Sequence, residues 1–108
     1  MKYCFVDVSG SMSTPERIKQ LEYCVKHVSY SNKETVEYIF FDHKVESKTV
    51  CYHKAVPKIP MHQGGSNTSL ISDYVTRNFI DAKDVIVVSD FEHYIVKDIL
   101  YYKIYAIE

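Results

Sequence analysis

Tyr3-Cys4-Phe5-Val6-Asp7-Val8-Ser9-Gly10-Ser11 holds the stretch from which the fold can be read. Residues 3–6 are a short apolar run ending at Asp7, the pattern of a buried strand. A loop follows, and then a helix start: Ser13 or Thr14 can cap, Pro15 suits the first helical position, and Glu16 falls in the first turn. Ile18, Leu21, Val25 and Val28 recur at helical spacing, with Lys19, Glu22 and Lys26 between them. This predicts a helix to about residue 30, ended by Ser31-Asn32.

Working outward, Val36–Phe41 is a second apolar, β-branched and aromatic run, closed by Asp42-His43 as a turn. Val45–Tyr52 is more mixed and suits an edge strand in a hairpin with it. Residues 53–67 hold two prolines and two glycines and read as a long loop. Leu70, Ile71, Tyr74, Val75 and Phe79 define a second helix, capped by Asn67, Thr68 or Ser69. Val85–Val88 is a run of β-branched residues, the signature of a buried parallel strand. Ile95–Leu100 reads as a short helix and Lys103–Ile107 as a last strand. This order predicts an α/β fold: an open, mostly parallel sheet of about five strands, an antiparallel edge hairpin, and two to three helices on its faces.

The length, 108 residues, predicts a single domain over 1–108. Hydrophobic residues make up 46% and charged residues 25%, an ordinary globular balance that argues against disorder. A formal net charge of -1 offers no electrostatic case for a nucleic-acid or membrane partner. No apolar run approaches the roughly 20 residues of a membrane-spanning helix. Met1-Lys2 leads straight into a strand, so no secretory signal is expected. Cys4, Cys24 and Cys51 match no metal or redox spacing; Cys4, on the apolar first strand, and Cys24, in the helical pattern, read as buried small hydrophobes, which points to a reducing, cytoplasmic setting. The ten tyrosines suit half-buried positions, with an interaction surface as the alternative.

Gly10, Gly64 and Gly65 are the only glycines, and all lie in the loops after the first and third predicted strands. Either those loops are shaped for a ligand or they simply turn the chain. In the first, Asp7, Ser9 and Ser11 alternate, so an extended backbone would aim three oxygens one way. The second is Gly64-Gly65-Ser66-Asn67-Thr68, at the entry to the second helix. Ser89-Asp90 adds another acid directly after a buried strand. If the strands before Asp7 and Asp90 are neighbours, the two carboxylates face one another and need a cation, a shared proton or a raised pKa. Carboxylates and hydroxyls are hard donors that suit Mg²⁺ or Mn²⁺ rather than Zn²⁺.

The D-x-S-x-S element Asp7/Ser9/Ser11, the Gly-Gly-hydroxyl loop about 55 residues later, and the strand-terminal Asp90 resemble the metal-ion-dependent adhesion site of von Willebrand factor A (VWA) domains. Phe41-Asp42 and the Gly64–Thr68 loop look like the compact bacterial VWA-like type. The resemblance runs along essentially the whole chain. It implies a Rossmann-like sheet and an Mg²⁺ (or Mn²⁺) site in which Ser9 and Ser11 are direct ligands. Asp7 and Asp90 would act through water, and Ser66 would stand at the usual threonine position, with Thr68 the substitute if the loop is shifted. It further implies binding of a partner protein through an Asp or Glu, and no enzymatic activity. Phe91 stands where the family often has glycine, so the site is expected to be partly shielded. The chain is short for the family, which implies missing peripheral helices and a thinly covered sheet face that packs against a partner, as a homodimer or within a larger complex.

Two other readings compete. A Mg²⁺-dependent phosphatase of haloacid dehalogenase type also begins with a strand-terminal Asp, but needs a second acid where Ser9 stands. A scaffold of the same fold with no metal is the other, and Ser66 and Phe91 speak for it. His43, Cys51, His53 and His62 could supply zinc ligands, but their spacing fits exposed loop histidines better. Ser9 or Ser11 as a hydrolase nucleophile lacks the glycine that opens a nucleophile elbow.

Overall fold

The computed structural model describes residues 1–60, 64–65, 69–89 and 100–103, with Ser11 and 100–103 described by their backbone. Strand β1 (Lys2–Asp7) runs into a 3₁₀ turn at Gly10–Met12 and then helix α1 (Pro15–Ser31). Strands β2 (Val36–Phe41) and β3 (Val45–Cys51) form a hairpin. Helix α2 (Ser69–Arg77), β4 (Val85–Ser89) and β5 (Leu100–Lys103) complete the order. In the sheet the strands lie β3-β2-β1-β4-β5. The β1–β2, β1–β4 and β4–β5 pairs are parallel, and β2–β3 is antiparallel with a register shift between Phe40 and Phe41. The expected α/β class with a mixed sheet therefore holds. Side chains are described for four strands, and the expectation of about five rests on the backbone of β5.

Strand alternation sorts the core into two layers. Cys4, Val6, Val8, Tyr38, Phe40, Ile86 and Val88 cluster with Leu21, Val25 and Val28 of α1. Phe5, Ile39, Phe41, Val85 and Val87 cluster with Ile71 and Val75 of α2. Each face of the sheet thus carries one helix, and both faces of β1, β2 and β4 are covered. That is why these strands are almost continuously apolar. Full burial of each such side chain contributes about 1.5–3 kcal/mol. On the α1 side, Tyr38 Oη hydrogen-bonds Ser29 Oγ inside the core, which satisfies two buried hydroxyls.

Helix α1 starts as its sequence predicts. Thr14 Oγ1 accepts from Arg17 N at 3.4 Å, and Pro15 follows it. At the other end Asn32 Nδ2 donates to Val28 O at 2.8 Å. Helix α2 corrects an expectation. It ends at Arg77, and Phe79, read from its spacing as an apolar helix position, is 96% exposed with φ 54°. The chain closes there in a Schellman motif: Ile80 N donates to Val75 O and Phe79 N to Thr76 O. Ile80, not Phe79, packs on the α2 core.

The last strand also differs from expectation. It begins at Leu100, which had been placed at the end of a short helix, and its start lies three residues before the expected Lys103. The rest of those two predicted elements lies outside the described residues. Local sequence explains the offset: Leu100, Tyr101 and Tyr102 suit a strand as well as a helix face, and periodicity cannot separate the two over so short a run.

Candidate functional site

The two ends of the sheet differ in kind. At the amino end Lys2 Nζ reaches Asp84 Oδ1 at 3.1 Å in a partly buried ion pair. At the carboxyl end the polar groups are buried. Asp7 and Ser89 are fully enclosed, and Ser9 and Asp42 are 2% exposed. A buried carboxylate must be compensated by donors or charge, so what surrounds Asp7 and Asp42 decides what this end can do.

Asp7 ends β1 on the face that also carries Phe5. Its Oδ1 accepts from Ser9 N at 2.9 Å, and its Oδ2 accepts from Ser89 Oγ at 2.7 Å. The first bond is an Asx-type turn that holds Ser9 beside the acid. The second ties β1 to β4, whose Val88 is in register with Val6. The chain lays β2 and β3 on one side of β1 and then crosses to place β4 on the other. The β1–β4 seam is therefore the point where strand order reverses, the place where open α/β sheets bind ligands. The condition for Asp7 to approach the β4 end is met, while Asp90 itself lies outside the described residues.

The alternation expected for Asp7, Ser9 and Ser11 holds only in part. Ser9 is extended, with φ -64° and ψ 169°, but Gly10–Met12 turns as a 3₁₀ helix. Met12 N donates to Ser9 O, and Ser13 Oγ donates to Gly10 O at 2.6 Å. Ser11 thus sits on a turn rather than an extended segment, and its place follows from that turn. The physical reason is Met12, whose side chain is fully buried and draws the loop inward.

The two glycine loops meet. Gly10 N donates to Gly64 O at 3.0 Å, although 54 residues separate them. Of the second loop, Ser66 and Thr68 lie outside the described residues.

From the sequence Asp42 reads only as a turn residue. It does make the turn: Asp42 N donates to Lys44 O at 3.0 Å, and Lys44 N to Asp42 Oδ1 at 3.2 Å. Yet it also follows directly on β2 near Asp7, since Asp7 is in register with Phe41. Burial pushes its carboxyl pKa up, but the Lys44 N–H, a hydrogen bond with Glu46 and the neighbouring His43 outweigh this and hold it below the usual value. His43 Nδ1 lies 3.2 Å from Asp42 Oδ1. The ligand atoms of Asp42, His43 and Glu46 all fall within 4.8 Å of one another, a mixed imidazole and carboxylate set. The available signal was the one used for Asp7, an acid directly after an apolar strand.

Among the described residues the members of the alternative zinc set lie apart. His43 and His53 flank β3 at its opposite ends, about 20 Å apart for a strand of this length. His53 Nδ1 instead lies 2.7 Å from Asn32 O, and Cys51 is buried in the α1 core. His62 lies outside the described residues. All three cysteines are free thiols, and burial raises the pKa of each.

No protein-family model matches this chain, and no curated protein sequence matches it. Among the described residues no helix is long and apolar enough to cross a membrane.

Proposed function

We propose that this chain is a VWA-like, divalent-metal-dependent protein-interaction module whose site lies over the carboxyl ends of β1 and β4. The observation that supports this most is the Gly10 N–H bond to Gly64 O at 3.0 Å. It sets the Gly-Gly loop against the D-x-S-x-S loop, at the switch point beside Asp7, which neither loop's sequence requires alone.

The donors present fit a hard ion. Asp7 and Ser9 offer oxygen, and both are buried at the carboxyl end of the sheet. Both Asp7 oxygens already accept hydrogen bonds, which suits an acid that orients its loop and acts on an ion through water. Ser9 and Ser11 would be the direct ligands, Ser66 the loop hydroxyl and Asp90 the second outer acid. Held mainly by neutral hydroxyls, Mg²⁺ or Mn²⁺ would keep enough charge to accept a carboxylate from an Asp or Glu of a partner protein. This is a binding reading, with no catalytic residue assigned, and the free thiols favour a cytoplasmic setting.

Calorimetric titration of Mg²⁺ and Mn²⁺ into chelator-treated protein tests it, beside the double variant Ser9→Ala/Ser11→Ala. Saturable binding in the parent and none in the variant is expected. Absence of binding in the parent would overturn the metal reading and leave a scaffold of the same fold.

A further inference from the structure

Gly64 is pressed against Asp42. A Cβ on Gly64 would overlap Asp42 Oδ2, and would stand 2.8 Å from His43 Nδ1 and 3.0 Å from Asp42 Cγ. Gly65, the next residue, faces open space: nothing lies within 4 Å of a Cβ built there. The Gly-Gly pair is therefore asymmetric. Only the first glycine is demanded by a close approach.

The Asp42 carboxylate is a fixed seat rather than a yielding one. Its Oδ1 accepts from Lys44 N at 3.2 Å and lies the same distance from His43 Nδ1, and the residue is 2% exposed. A short side chain whose Oδ1 is held by the Lys44 N–H and lies against His43 cannot swing away without losing both contacts. The carbonyl of the glycine resting on it then accepts the Gly10 N–H, one residue beyond Ser9. A continuous set of contacts thus runs from the end of β2, through Gly64, to the loop that carries Asp7 and Ser9.

We propose that Asp42 is a positioning residue for the metal site, seating Gly64 so that its carbonyl fixes the Gly10 end of the Asp7 loop. This rests on the reading of that loop as an Mg²⁺ site. Asp42 acts here by shape and hydrogen bonding, and not as a ligand.

The test is Mg²⁺ calorimetry on the full chain, with thermal unfolding of the metal-free protein recorded for each variant. Gly64→Ala is expected to weaken Mg²⁺ binding by about tenfold or more, the usual effect of disturbing a group that orients metal ligands, while Gly65→Ala weakens it far less. Asp42→Ala should behave as Gly64→Ala, and Asp42→Asn, which keeps the shape and one acceptor, should restore most of the affinity. Equal affinities for Gly64→Ala and Gly65→Ala would overturn the proposal while leaving the metal site standing. Asp42→Asn as damaging as Asp42→Ala would make Asp42 a ligand or an essential charge, and would overturn it too. If Asp42→Ala fails to fold, the two glycine variants still decide. A parent that binds no Mg²⁺ would remove both this proposal and the functional reading beneath it.

Discussion

Ser89 Oγ donates a 2.7 Å hydrogen bond to Asp7 Oδ2, joining the carboxyl ends of β1 and β4 across 82 residues of chain. Both residues are fully buried, so this bond is made away from competing water and to a charged acceptor, where hydrogen bonds contribute most. It also fixes the carboxylate plane. With Oδ1 held by the Ser9 N–H and Oδ2 by Ser89, Asp7 has little freedom to rotate.

Ser89→Ala is therefore expected to destabilise the protein by about 1.5–3 kcal/mol, the range for a buried bond to a charged group. A lower urea midpoint at unchanged m would register it. A midpoint equal to the parent's would mean that the bond contributes nothing to the folded state.

Alkaline stability should depend on Tyr38. Burial raises its pKa from 10.0 to about 12; the Ser29 hydrogen bond works the other way, and the nearby Cys4 and Cys51 thiols add to the rise. The folded state thus favours the neutral phenol. That contribution is fully present below the unfolded value near 10 and is lost as pH climbs through about 12. Tyr38→Phe should cost about 1 kcal/mol at neutral pH through the lost hydrogen bond. Between pH 10 and 12 the gap between parent and variant should close and then reverse, because phenylalanine has no proton to lose. Urea denaturation at stepped pH measures both effects, and a constant gap across that window would refute the assignment.

Phe79 occupies a helix-terminal position that favours glycine. Its φ of 54° is left-handed, and its ring is almost wholly exposed, so no packing offsets the strain. The left-handed conformation costs an L-residue about 1–2 kcal/mol, and glycine loses about 0.5–1 kcal/mol more chain entropy on folding. Phe79→Gly should accordingly stabilise by roughly 0.5–1 kcal/mol, the difference of those two, read as a higher melting temperature. Phe79→Ala keeps the same backbone strain and should give no comparable gain. Equal stabilisation by both would show that removing the exposed ring matters and the backbone does not.

Much of the fold is legible along the chain because burial imposes a local rhythm. Val36–Phe41 and Pro15–Ser31 are found close to where their apolar spacing and caps put them, since each element must present its own face to the core. The acid after an apolar strand pointed to Asp7, which lies fully buried at the end of β1. The same signal at Asp42 was hidden by an adequate local explanation, the turn it also makes. Phe79 failed for the opposite reason: it fits the helical spacing, but the Schellman closure ends α2 two residues before it.

Residue order along the chain carried the elements, their caps, and the concentration of glycines and oxygen-bearing side chains in the strand-end loops. Three contacts that assemble the candidate site could not be read there: Asp7 with Ser89, Gly10 with Gly64, and Gly64 against Asp42. Each joins segments far apart in sequence: the first exists because β4 crosses to the far side of β1, and the other two because the Gly64 loop returns over the ends of β1 and β2. Hydrophobic periodicity reports which face of an element is buried, and it is the same for any order of strands in the sheet. The order comes from how both layers pack at once, so the site became visible only in the assembled fold.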